Sequence, residues 1–156
     1  MKQILCFLPD AASKETMHCI TDNNTKVIDA STAHRTNSNW TYGIPVLNPY
    51  QSEKRKNSSR ACIPGCHATS FIMALNPLIE NSIVSKKQKL ICHSITGDSG
   101  GGKGMIDVYE DPDNFDKINS QRSYSLNLEH KHLPEMQYVL GLETLPLFTP
   151  SVGTFK

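Results

Sequence analysis

The strongest constraint on this 156-residue chain lies near its start. "ILCFLP", from Ile4, has the pattern of a buried strand. Asp10 is placed to cap the helical run "AASKETMHCI", and "KVIDAS", from Lys26, is the next strand. Strands joined through a helix lie parallel, because the crossover returns the chain to the same end of the sheet. A parallel sheet is normally covered, yet this one would open on an exposed, adhesive strand. The other end, "LPLFTPSVGTFK", stops inside apolar, strand-like sequence. The expectation is an α/β chain with both ends cut, long enough for one ordinary domain or two partial ones.

"RACIPGCHATSFIMALNPLIEN" is the second informative stretch. Arg60 to Ile63 reads as a short strand, and Pro64-Gly65 forces a tight turn. The helix that follows carries Phe71, Leu75 and Leu78 on one face with Ile72 and Ile79 beside them, and Pro77 should kink or shorten it. Cys66 falls at the first turn, where unpaired N–H groups and the helix dipole favour a thiolate. That setting suits a nucleophile; a cysteine packed under a loop is the competing reading. Cys62, Cys66, His67, Cys92, His93, His130 and His132 also offer zinc ligands, but no CxxC pair occurs.

After the strand-like "KLICHSI", Gly97, Gly102 and Lys103 have the spacing of a phosphate-binding P-loop. Gly104 stands where such a loop needs Ser or Thr for magnesium, which argues against a nucleotide triphosphatase. The glycine run still offers backbone N–H groups to another anion, or is a flexible surface loop. In "YSLNLEHKHLPEMQYVL", a strand would put His130 and His132 on one side and Lys131 on the other. Pro134 suits the first turn of a following helix, and Glu135 is near enough to orient an imidazole. The alternative is a polar edge strand with exposed histidines.

A net charge of +1 gives no reason to expect nucleic acid or an anionic membrane as partner. No apolar run approaches a membrane span, and the five-residue apolar core near Met1 is short for a signal peptide. Five cysteines at irregular spacing argue for reduced thiols in a cytoplasmic enzyme.

Taken in order, "VIDASTAHRT", "WTYGIPVLNP", "PGCHATSFI", "SITGDSGGGKGMIDVYE", "LEHKHLPEM" and "FTPSVGTF" resemble N-acetyl-gamma-glutamyl-phosphate reductase, in its shorter sequence group. The likeness runs from Ile4 to Phe155 and is that of an internal fragment. It implies the trailing half of a Rossmann-type NADP-binding domain over residues 1–65. A truncated α+β, mixed-sheet catalytic and dimerisation domain of the semialdehyde-dehydrogenase type would follow over residues 66–156. By the same resemblance Cys66 is the nucleophile and His130 or His132 the acid/base, with His130 favoured. Arg35, Tyr124, His132, Glu135 and Lys103 shape the substrate pocket, and Ser99, Gly100, Gly101 and Gly102 lie beside the cofactor.

The implied reaction is attack of Cys66 on an acyl phosphate, a thioester, and reduction by NADPH with no metal, in a homo-oligomer. Ile63 and Asp98 depart from the family's usual Asn and its aromatic or small residue. No G-x-G-x-x-G occurs, so the chain alone is not expected to turn over NADPH. A non-catalytic remnant or dimerisation module, and a reductase of an aspartyl or aminoadipyl phosphate, are the competing readings.

Overall fold

The computed structural model describes residues 2–22, 24–118 and 120–153. Strand β1 (Gln3–Cys6) leads through helix α1 (Asp10–Cys19) to β2 (Lys26–Asp29), which pairs with it in parallel. A two-residue strand, β3 (Thr41–Tyr42), helix α2 (Gln51–Asn57) and β4 (Arg60–Cys62) follow. They complete a parallel sheet in the order β1-β2-β4-β3. The chain then enters α3 (Cys66–Glu80), β5 (Ile91–Gly97), a 3-10 turn (Asp98–Gly101) and α4 (Lys103–Glu110). After α5 (Phe115–Ile118) come β6 (Arg122–Ser123), α6 (Leu133–Leu140) and β7 (Leu147–Gly153). The second sheet has the order β5-β7-β6, with β5 parallel and β6 antiparallel to the central strand. A parallel sheet followed by a mixed one is the α/β architecture expected from the sequence. Among the described residues no helix is long and apolar enough to cross a membrane.

Several local expectations are corrected. Asp10 does not cap α1: it is the first helical residue, Pro9 holds the cap position, and the carboxylate instead accepts from Thr32 N–H at 2.8 Å. The buried-strand reading of "ILCFLP" fails for most of its side chains. Cys6 is buried, but Leu5, Phe7 and Leu8 are exposed, because β1 is an edge strand with one face uncovered by the described residues. Pro77 sits inside α3 without shortening it, and the helix continues to Glu80. Its last turn closes as Asn81 donates from its backbone N–H and side chain to Pro77 O. The end of "FTPSVGTF", Thr154 and Phe155, lies outside the described residues.

One apolar core joins the two halves. Ala68, Phe71, Ile72 and Ile79 of α3 pack with Leu133, Met136 and Leu140 of α6, Tyr42 and Cys62 of the first sheet, and Phe148 of the second. The buried face of α3 is thus the expected one shifted toward Ala68, with Leu75 at its margin. Helix α6 ends at Gly141, whose φ of 63° needs a residue without a Cβ penalty. Met136 is 0% exposed at the centre of this core and Met73 of α3 is 36% exposed. Met136→Ala is expected to cost about 2–5 kcal/mol in urea unfolding, against less than about 0.5 kcal/mol for Met73→Ala.

Candidate active site

The site begins with a clamped loop. Asp29, the last residue of β2, is fully buried and accepts from Ser31 N–H (3.1 Å), Ser31 O–H (2.6 Å) and the His34 ring (2.7 Å from Nδ1). The His34 ring stacks on Trp40 at 4.1 Å, and Thr32 is tied to Asp10 from the other side. These bonds outweigh the desolvation of Asp29 and hold its pKa below the ordinary carboxylate value. They fix the loop that presents Arg35.

Arg35 is buried and donates to Glu135 Oε2 (3.1 Å) and Ala30 O (3.0 Å). Glu135, on the first turn of α6 and 1% exposed, also accepts from Tyr42 O–H (2.6 Å) and Gly65 N–H (2.9 Å). Its carboxylate therefore braces the turn before Cys66, and does not orient an imidazole as the sequence suggested. Gly65 has no room for a side chain. A Cβ there would meet His132 Nε2 at 2.4 Å and Arg35 Nη1 at 2.7 Å.

Cys66 opens α3 and is exposed. It shares a cavity of about 590 Å³ with Arg35, Tyr124, His130, Lys131 and His132, and with Gly100 and Gly101. The other expected site residues lie elsewhere. Lys103 is exposed and paired with Asp107 at 3.1 Å, and neither it nor Ser99 or Gly102 lines the cavity. Gly102 turns the chain into α4 with a φ of 72°, a backbone role. Asp98 is buried beside the loop with Oδ1 unpartnered, and Ile63 forms part of the cavity wall.

The histidine segment is no strand. Residues 124–132 run as turns, and His132 is the cap residue of α6. His130 and His132 are both buried, which overturns the reading of exposed edge histidines, and their rings meet edge to face at 4.7 Å. Lys131 is exposed yet reaches the cavity, a placement that strict alternation did not suggest. His132 N–H donates to His130 Nδ1 at 3.1 Å, so neutral His130 carries its proton on Nε2. Burial, then neighbouring positive charge, lowers the His130 pKa to about 4 and that of His132 to about 3. His132 Nδ1 and Arg35 Nε are buried without a partner.

His67 entered the sequence reading only as a metal candidate, and the structure gives it a different place. Its ring is buried against Phe148, with Nδ1 2.7 Å from Ser94 Oγ and Nε2 2.9 Å from Tyr124 Oη. Its position next to Cys66 was the only local signal. Among the described residues no group of His, Cys, Asp or Glu is arranged to hold a metal ion. The Cys62 thiol, buried and facing the Glu135 charge, is pushed up to about 12, and that of Cys92 is raised by burial.

Residues 66–156 match the family described as semialdehyde dehydrogenase, dimerisation domain, and residues 1–55 match semialdehyde dehydrogenase, NAD binding domain. The chain belongs to the semialdehyde dehydrogenase family. N-acetyl-gamma-glutamyl-phosphate reductase 2 of Pseudomonas putida is 39% identical over 98% of this chain and 48% of its own length. The enzyme of that name from Nostoc sp. is 38% identical with the same coverage. The chain thus spans about half the length of the curated relatives it matches. Aspartate semialdehyde dehydrogenase II of Vibrio cholerae superposes with a TM-score of 0.68 at 16% identity, over 99% of this chain and 52% of that one. That likeness shows the shared fold.

Glu135→Gln should cost about 3–5 kcal/mol in chemical unfolding, because it leaves the buried Arg35 guanidinium without its counter-charge. The buried histidines also set a pH dependence. Unfolded imidazoles take up protons below about pH 6.5, whereas folded His130 and His132 resist until about 4 and about 3. Stability should therefore fall from pH 6.5 to 5 with a slope that steepens toward about 1.4 kcal/mol per pH unit for each such imidazole, its limit once the unfolded ring is fully protonated. Urea midpoints across that range should show the slope, and His130→Gln should reduce it.

Proposed function

We propose that this chain carries the acyl-accepting chemistry of an N-acetyl-gamma-glutamyl-phosphate reductase, with Cys66 as nucleophile. The observation that carries this reading is the exposed Cys66 at the start of α3, on one cavity wall with Arg35, Tyr124, His130 and His132. The names of the curated relatives support the substrate class. The Cys66 thiolate adds to the acyl carbonyl and expels phosphate, leaving a thioester; sulfur both attacks and later departs well.

Lys131 gives the cavity a positive charge that favours an anionic substrate, with the guanidinium of Arg35, paired to Glu135, beside it. His130, neutral with its proton on Nε2, is the acid/base candidate and serves first as a hydrogen-bond donor to the reacting oxygen. His132 packs on Gly65, and Glu135 fixes that turn. The division into residues 1–65 and 66–156 is proposed with this reading, supported by the family match that begins at Cys66.

A nicotinamide cofactor, NADP in this reading, would supply hydride to the acyl group when bound. Gly100 and Gly101 line the cavity and are the residues that would lie beside its reactive end. The turn from β1 into α1 passes through Phe7, Leu8 and Pro9 without a glycine, so these residues build no cradle for its pyrophosphate. We further propose that the family's dimerisation domain acts here as a homo-oligomer in the cytoplasm, a placement suited to five unpaired cysteines. Incubation of the chain with N-acetyl-gamma-glutamyl phosphate should give one acyl adduct on Cys66 and an equivalent of phosphate, by mass spectrometry and phosphate assay. Cys66→Ser should give neither. Faster acylation by aspartyl phosphate would move the substrate assignment, and no adduct at all would favour a non-catalytic module.

A further inference from the structure

His67, Ser94 and Tyr124 form a hydrogen-bonded chain beside the nucleophile that the chemistry above leaves unused. His67 follows Cys66 on the first turn of α3, and its ring turns inward onto Phe148, with ring centroids 5.3 Å apart. Ser94 Oγ, from β5, meets Nδ1 at 2.7 Å, and the Tyr124 hydroxyl meets Nε2 at 2.9 Å. Tyr124 is itself anchored to the second sheet, since its N–H donates to Pro150 O at 3.0 Å. Both Tyr124 and Cys66 line the cavity, and a thiolate on Cys66 is close enough to raise the Tyr124 pKa beyond the effect of burial.

A neutral imidazole has one donor and one acceptor nitrogen, so this chain has two arrangements. In the first, Ser94 O–H donates to Nδ1 and Nε2–H donates to the Tyr124 oxygen, leaving the Tyr124 proton free to point into the cavity. In the second every bond is reversed, and Tyr124 turns lone pairs toward the cavity. Burial lowers the His67 pKa, so the ring is neutral near pH 7. A thiolate or an acyl phosphate in the cavity repels exposed lone pairs and selects the first arrangement.

We propose that Ser94 and His67 are positioning residues that direct the Tyr124 hydroxyl proton toward the oxyanion formed when Cys66 adds to an acyl carbonyl. As the Cys66 Sγ–carbon bond forms, the carbonyl π pair moves onto oxygen, and that oxygen accepts the Tyr124 hydrogen bond. The pair then returns as the carbon–oxygen bond to phosphate breaks. Tyr124 lends a hydrogen bond and gives up no proton, so no further reactant is needed. This inference rests on the thioester reading above.

Two reactions of the same thiol separate the roles. Acylation by N-acetyl-gamma-glutamyl phosphate builds an oxyanion, whereas alkylation by iodoacetamide does not. Both rates on Cys66 are measured in the full chain and compared as a ratio. Tyr124→Phe should lower the ratio of acylation to alkylation by about 100-fold, the scale of one lost oxyanion donor. Ser94→Ala and His67→Ala should lower it by about 10-fold, the scale of one lost hydrogen bond. His67→Gln, whose amide N–H can replace Nε2–H, should recover most of that loss. Adding His67→Ala to Tyr124→Phe should cause no further fall. A ratio unchanged in Ser94→Ala and His67→Ala, or losses that add in full to that of Tyr124→Phe, would overturn the proposal. A variant that unfolds exposes Cys6 and Cys62 to alkylation, and Ser94→Ala, the removal of one atom at a half-buried site, then decides. If unaltered chain is alkylated at Cys66 but never acylated, the thioester reading falls and takes this inference with it.

Discussion

The Glu135 carboxylate is the interaction on which the rest of the site depends. It is buried on α6, and its oxygens accept from residues distant in sequence: Tyr42 on β3, Gly65 before α3, and Arg35 in the clamped loop. A carboxylate taken out of water costs several kcal/mol, and partial pairing would not offset that. Here a guanidinium, a phenol and a backbone N–H meet it together. The same bonds fasten the parallel sheet to the helix packed on the mixed sheet. The effect is reciprocal: burial and the Glu135 charge together raise the Tyr42 pKa, so Tyr42 remains a donor at all ordinary pH.

The clamp also sets the character of the histidines. Drawing α6 toward Gly65 seats His132 on a glycine Cα, and the adjoining turn folds His130 back so that its Nδ1 accepts the His132 N–H. Packed on each other, on His67 and on Phe148, the rings lose solvent and stay neutral. The cavity then holds directed N–H and O–H donors, with the Arg35 charge paired to Glu135 and Lys131 at its exposed rim. Such a surface suits an oxygen that gains negative charge during reaction, because its dipoles are set before the charge develops.

What was legible in the sequence follows from the range of each interaction. The β1–α1–β2 unit, the Pro64-Gly65 turn and the helix at Cys66 are local patterns, and they were readable. Asp10 looked like a cap because acidic residues at helix starts usually are, but Thr32, twenty-two residues on, competed for its carboxylate. His130, Lys131 and His132 alternate as a strand would, yet Pro134 already commits the following turn to a helix, so the segment folds into it. The partners of Glu135 lie 70 to 100 residues away, and nothing nearby announces them. Lys103 was singled out by its spacing from two glycines, and α4 instead turns it to solvent against Asp107.

The placement of the contacts bears on which chemistry is separable from which. The bonds described around Cys66 come from Asp10, residues 29–35, 42, 65–67, 94 and 124–135, and Pro150, all groups this chain itself supplies. No side chain of β1, the outer strand of the parallel sheet, is among them. There β1 shows Leu5 and the following Phe7 and Leu8 to solvent, and the turn into α1 lacks the glycine backbone a pyrophosphate needs. Cys66 and the donors that share its cavity thus sit at the junction of the two sheets. On the proposed reading, acylation of Cys66 needs no group outside this cavity, so it is separable from the reduction that a dinucleotide would supply.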